Sequence, residues 1–228
     1  MDTLSPPIAA TALRVSIRRV VMLTAVCGFV EIIGYSDAGN IYPAIMTGNT
    51  VQLGATAAAA QWSRFGLIAY AIGAFFIGCM IASLIRQHLR KPPLELGLMA
   101  ILLLVAGFVR LHPSLRISVE LPILALALGM QGETISRFGA VSLQTLVVTN
   151  NMVKFSDSFV GRFLVSADRR TKRPELAEVI LPGLAWLTYS LAAALGAFVA
   201  QHVVFPLLVP AILLIAITAD LLFSPERQ

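Results

Sequence analysis

The chain has 228 residues, 57% of them hydrophobic and 13% charged, with a mean hydropathy of +0.83 and 17 Lys+Arg against 12 Asp+Glu, a net charge of +5. A soluble domain is about 25% charged, so these figures exclude a soluble globule, a disordered chain, a collagen-like fibre and a disulfide-rich secreted module. A polytopic helical membrane protein remains. Nucleic acid is not implied as a partner, because the basic residues fall in short loops between apolar runs, where Lys and Arg set membrane orientation.

The first apolar run covers residues 20–35. Arg18 and Arg19 precede it like the start of a signal peptide, but Glu31 follows where a cleavage site would stand, so an uncleaved first span is expected. Residues 1–17 are expected to form a flexible cytoplasmic tail. A break with Gly39, Asn40 and Pro43 leads to a second run, 44–60, which is polar in its middle. The third run is 65–85, followed by a basic loop with Pro92 and Pro93. The fourth, 94–109, is short for a span that needs about 20 residues. After a polar loop, 110–120, come a fifth run (121–130), a sixth (138–165) again polar in its middle, a seventh (179–200) and an eighth (203–223).

Six runs are clear and two are polar-centred, and their order repeats: strong, polar-centred, strong, short, then strong, polar-centred, strong, strong. This indicates a single membrane domain over 1–228 built from two related halves, 18–110 and 119–223. Thr47-Gly48-Asn49 corresponds to Thr149-Asn150-Asn151. Ala74, Gly78 and Ala82 correspond to Ala192, Gly196 and Ala200, small residues that let helices approach closely in lipid. Cys27 and Cys79 lie inside apolar runs and read as packing residues. If all eight runs cross, the halves are parallel. If the two polar-centred runs are re-entrant, six helices cross and the halves are inverted. Both arrangements put both termini in the cytoplasm.

Chemistry is sparse. Glu31 lies deep in the first run, on a stripe with Thr24, Gly28 and Tyr35, and a charge at mid-membrane belongs toward the bundle interior. It reads as a proton- or cation-linked carboxylate or as an interhelical hydrogen-bonding group. Asp37, in the first break, suits a cation, a substrate ammonium or a helix cap. Asn49, Gln52 and Thr56 make one polar face. Non-helical backbone at membrane depth is tolerated only inside protein or beside a water-filled cavity, so Thr47, Gly48 and Asn49 suggest a binding cavity, and Thr149, Asn150 and Asn151 inherit that reading. Asn49 and Asn151 are expected to line one central space. In the second half Gln131 also stands out. Glu133 with Arg137, and Lys154 with Asp157, have the spacing of helical ion pairs. Lone histidines near run ends make no metal site. No catalytic triad, P-loop or dinucleotide fingerprint is present, so no enzyme, metal or cofactor is expected.

Gly34-Tyr35-Ser36-Asp37-Ala38, then Met46-Thr47-Gly48-Asn49-Thr50-Val51-Gln52-Leu53-Gly54, resembles the signature of the YoaK family of bacterial multi-pass membrane proteins, roughly G-[FY]-x-D-A followed by M-T-G-N-x-x-x-L-G. Gly129-Met130-Gln131 and Val148-Thr149 resemble later patches of that family. Gly132 and Asn150 stand where its pattern has Asn and Gly. The resemblance implies a bacterial inner-membrane protein.

The expected architecture is therefore an all-α transmembrane bundle of six to eight segments with broken polar segments. The expected function is secondary transport or export of a small solute, with lipid and that solute as partners and a homo-oligomer left open. The competing reading is a non-transporting scaffold or partner subunit, whose polar residues serve helix packing.

Overall fold

The computed structural model describes residues 6–89, 92–134, 137–138, 141–165 and 173–223. Eight α-helices run through them: α1 (Pro6–Asp37), α2 (Met46–Ala58), α3 (Trp62–Leu89), α4 (Pro92–Val109), α5 (Leu121–Thr134), α6 (Val148–Phe159), α7 (Leu176–His202) and α8 (Leu208–Phe223). A 3₁₀ turn, Pro113–Leu115, and a π-helical turn, Arg116–Glu120, lead directly into α5. A two-residue hairpin, β1 (Arg137–Phe138) with β2 (Val141–Ser142), precedes α6. A second π-helical turn, Val160–Leu164, continues α6.

Two boundaries depart from the sequence reading. α1 starts at Pro6 rather than near residue 20, and Leu13 and Ile17 pack against the core. Proline suits a first helical turn, where its missing N–H has no intrahelical role. The sixth run is not one continuous segment. Residues 141–145 alternate buried and exposed, the period of an extended chain, and helix begins only at Val148. The α1 terminus follows from its sequence. Gly39 and Asn40 take positive φ angles of 61° and 65°, and the Asn40 N–H reaches the Tyr35 carbonyl at 3.0 Å, closing the helix with left-handed residues.

Among the described residues, three helical stretches are long and apolar enough to cross a membrane: Trp62–His88, Pro113–Gly132 and Leu176–His202. Pro93–Val109 and Leu208–Phe223 are shorter apolar helices. Large apolar side chains cover their outer faces: Phe76, Met80 and Leu84 on α3, Ile101 and Phe108 on α4, and Leu191 and Leu195 on α7. Such a belt is an aggregation hazard in water and the ordinary outer surface in hydrocarbon. α2 and α6 differ. α2 has 13 residues, about 20 Å at 1.5 Å per residue, against a hydrocarbon core of about 30 Å; α6 has 12 and continues through its π-helical turn to Leu164, but it is polar, with Asn150, Asn151, Lys154 and Asp157 along it.

The largest helix contacts are α1 with α7 and α3 with α5. Glycines set both. A Cβ on Gly28 would overlap the Tyr189 carbonyl of α7, and one on Gly196 would press on Phe29 of α1. Likewise a Cβ on Gly78 would overlap the Leu126 carbonyl of α5, and one on Gly129 the Phe75 carbonyl of α3. Lipid tails offer no hydrophobic drive between helices, so such backbone contact supplies the packing. α2 lies on α3 and α6 on α7, α4 packs on α8, and α4 touches α5 as α1 touches α8. The main core, with Leu23, Val30, Met99, Leu103, Leu128 and Leu214 fully buried, sits where α1, α4, α5 and α8 meet.

Candidate functional site

Each short helix is preceded by non-helical backbone and held by an asparagine in its own first turns. Ile45 and Val147, the residues before α2 and α6, have similar backbone angles, φ −77° with ψ 73° and φ −101° with ψ 82°. Asn49 is the fourth residue of α2 and Asn151 the fourth of α6. Asn49 Nδ2 donates to the Tyr42 carbonyl at 2.7 Å, and its Oδ1 accepts the Tyr42 N–H at 3.0 Å. Asn151 Nδ2 donates to the Gln144 carbonyl, again seven residues back, at 2.9 Å. An amide carries both donor and acceptor, so it can replace a missing strand partner for non-helical backbone. Both asparagines are buried, Asn49 at 0% and Asn151 at 1% exposure.

Further ties come from α1 and α5. The Glu31 carboxylate accepts the Ala44 N–H at 3.0 and 3.2 Å and the Ile45 N–H at 3.1 Å. These two amides lie just before α2, at the positive end of its dipole. Tyr35 stacks on Tyr42 with ring centroids 4.5 Å apart. In the other half, Gln131 Nε2 donates to the Leu23 carbonyl at 2.7 Å and lies 3.5 Å from Thr145 Oγ1. Gln131 thus joins α5 to α1 and to the segment leading into α6.

The first turns of the two short helices meet at one cavity of about 660 Å³. Residues 44–47 line one side and 146–149 the other, with Phe75 and Cys79 of α3 and Tyr189, Ser190 and Ala193 of α7 between them. Its polar groups are hydroxyls and amides: Thr47, Thr149, Ser190, Tyr189 and Gln144, together with the Cys79 thiol. Among the described residues no charged side chain is part of this wall. The cavity therefore suits a small neutral or amphipathic molecule held by hydrogen bonds and apolar contact.

The candidate residues fall into three groups. Thr47 and Thr149 line the cavity. Glu31, Gly48, Asn49, Gln131 and Asn151 stand behind it. Gly48 packs against the Tyr42 ring, and the expected exposure of Asn49 and Asn151 to a shared space is corrected, since both are turned to backbone. Asn150 is half-buried beside Asn151. Gln52 lies apart, donating to the Asn40 carbonyl and accepting from Arg64. Asp37 is at the far end of α1 in an ion-paired cluster: Arg110 Nε reaches it at 2.5 Å and Arg116 at 3.0 Å. Those two arginines, and the buried Glu120 beside them, escaped the sequence reading as mere loop charges. The Glu133 and Arg137 pairing lies outside the described side chains. Lys154 donates to the Ser142 carbonyl. Among the described residues no three His, Cys, Asp or Glu side chains gather into a metal site.

Long apolar helices with two short helices that meet at a shared cavity define a multi-pass α-helical membrane protein. The model of the family described as a protein of unknown function, DUF1275, matches residues 20–219, and the chain belongs to that family. It is also 26% identical over 235 residues to the UPF0700 transmembrane protein YoaK of Bacillus subtilis (strain 168), covering 96% of this chain and 99% of that one. The resemblance read from the 34–38 and 46–54 motifs is borne out. No solved structure matches the chain.

Proposed function

We propose that this protein is a secondary transporter of a small solute, with the solute held in the cavity between the first turns of α2 and α6. The observation that carries this reading is that both short helices present their first turns, through Thr47 and Thr149, to the same space. Broken or short helices that end near the bilayer midplane are the usual construction of a transporter binding site.

The helix contacts support two related halves. Exchange α1 with α5, α2 with α6, α3 with α7 and α4 with α8, and each major contact maps onto another: α1 on α7 becomes α5 on α3, and α2 on α3 becomes α6 on α7. With α2 too short to cross and α6 too polar, each half makes three crossings. The halves are then inverted about an axis in the membrane plane, and both termini lie on the cytoplasmic side of a bacterial inner membrane. Glu31 is the coupling carboxylate in this reading, because its protonation state acts directly on the amides that enter α2.

A competing reading, a scaffold or partner subunit, draws support from Asn49, Asn151 and Gln131, whose buried amides are engaged with backbone. Purified protein in liposomes separates the two. Solute-dependent uptake or efflux against empty liposomes supports transport. Tight reconstitution with no flux across a panel of small neutral and amphipathic solutes supports the scaffold.

A further inference from the structure

The π-helical turn ahead of α5 ends in a carboxylate that no other part of the site accounts for. Glu120 is 1% exposed, and neither of its oxygens has a hydrogen-bond partner. An ionised carboxylate taken out of water without donors costs several kcal/mol. Yet two strong donors are beside it. Arg110, at the end of α4, and Arg116, on the turn of Glu120 itself, both bond to Asp37 at the end of α1. Asp37, Arg110 and Arg116 are the charged groups that act on Glu120. The neighbouring turn Pro113–Leu115 carries no titratable side chain, and the adjoining turns of α5 are apolar.

Two carboxylates therefore share two guanidinium groups, and only one of them is bonded. Asp37 and the two arginines together carry a single positive charge, so a neutral Glu120 leaves that charge in place and an ionised one cancels it. Arg116 is the better placed of the two to change partner: its Nε donates to the Arg110 carbonyl at 3.1 Å and its Nη1 to Asp37, so the Nη1 bond can be exchanged while the Nε bond holds the side chain in place. Its side chain is 31% exposed, against 11% for Arg110. It stands four residues before Glu120, the spacing at which helical side chains meet. Arg110 is fixed further by the Ala200 carbonyl of α7 at 3.4 Å.

We infer that Glu120 is a proton-binding site of this protein: it carries a proton while Arg110 and Arg116 hold Asp37, and on losing that proton it draws Arg116 away from Asp37. The proton leaves to water along the exposed side of Arg116, and the guanidinium stays charged throughout. The tie between the end of α1 and the turn Arg116–Glu120 then weakens, while the Arg110 tie remains. This inference does not depend on the transport reading.

Infrared spectroscopy on the full chain in lipid nanodiscs tests it, with glutamate carboxyls carbon-13 labelled so that their C=O stretch separates from that of aspartate. A protonated glutamate band should be present in the wild type, vanish as pH rises, and be missing from Glu120→Gln. Arg116→Gln removes the partner that an ionised Glu120 would take, so the titration of that band should move upward by about one pH unit or more. A full set of titrating glutamate bands in Glu120→Gln overturns the inference. Should that variant fail to fold, an unshifted titration in Arg116→Gln overturns it equally, since Glu31 is bonded to the Ala44 and Ile45 N–H groups and not to Arg116.

Discussion

Both carboxylate oxygens of Glu31 accept the backbone N–H of Ala44, at 3.2 and 3.0 Å. One side chain of α1 thereby fixes where the chain turns into α2. Replacing Glu31 by Gln keeps one acceptor and sets an amide NH₂ against the Ala44 N–H. A hydrogen bond to a charged group is worth about 1.5–3 kcal/mol, so Glu31→Gln should lower stability by about 1–2 kcal/mol in thermal unfolding, and Glu31→Ala by more. In a transport assay Glu31→Gln should retain the fold and lose the pH dependence of flux. Unaltered pH dependence in a folded Glu31→Gln protein retires the coupling role.

The paired asparagines differ in a measurable way. Asn49 makes two bonds to Tyr42, whereas Asn151 makes one to Gln144 and its Oδ1 has no partner. Asn49→Ala leaves the N–H and C=O of the half-buried Tyr42 unmet, at up to about 1–3 kcal/mol for each such group. Asn151→Ala leaves one, the carbonyl of the exposed Gln144. Unfolding in detergent should show the larger loss for Asn49→Ala. Asn49→Asp should be worse still, because it places oxygen against the Tyr42 carbonyl. Equal losses at 49 and 151 would contradict these roles.

Much of this was legible before any coordinates. The polar islands around Thr47 and Thr149 stand out against apolar runs, and they do begin the two short helices. The small-residue combs are legible for the same reason: Gly78 and Gly196 are the places where neighbouring backbones touch. What sequence could not give is direction. Periodicity showed that Asn49 and Asn151 were unusual, but not that each turns back seven residues to serve non-helical backbone. Nor could it pair Asp37 with Arg110 and Arg116, which lie 73 and 79 positions away. A loop arginine looks the same whether it meets water or a buried carboxylate. The apolar–polar alternation of Val141-Ser142-Leu143-Gln144 is present in the sequence, but it sits inside a longer apolar run that masks it.

The glycine contacts set a sharp expectation for packing. Gly28→Ala or Gly129→Ala puts a methyl group into a partner helix's carbonyl. Backbone cannot move aside as a flexible side chain can, so the helices must separate. Overpacking of this kind costs about 1–3 kcal/mol. Gly54→Ala and Gly73→Ala, where a Cβ meets nothing within 4 Å, should leave the unfolding temperature unchanged or raise it slightly, since alanine is the better helix former. Indistinguishable temperatures for the two pairs would show that helix approach does not limit stability.

The shortness of α2 and the polarity of α6 bear on topology. If neither crosses, a reporter fused after residue 91 should report the cytoplasmic side, the same side as reporters on both termini. An external reading there requires α2 to span with 13 residues and removes the inverted arrangement.

The cavity itself is open to the most direct test, and it turns on neighbouring residues of one helix. Thr47 is exposed and lines the cavity, while Asn49, two residues on, is buried behind it. The same holds for Thr149 and Asn151. Single cysteines at 47, 49, 149 and 151, in a protein lacking Cys27 and Cys79, should therefore divide by position rather than by helix. The cysteines at 47 and 149 should react with a small water-soluble thiol reagent. Those at 49 and 151 should stay protected until the protein unfolds. A transported solute should slow labelling at 47 and 149 together, because one molecule in a space of about 660 Å³ screens both walls. Labelling of 47 that a solute blocks while 149 stays fully reactive would mean two separate crevices. Silence at both positions, with loop cysteines reactive, would mean that water does not reach the space at all, and the case for transport would fall with it.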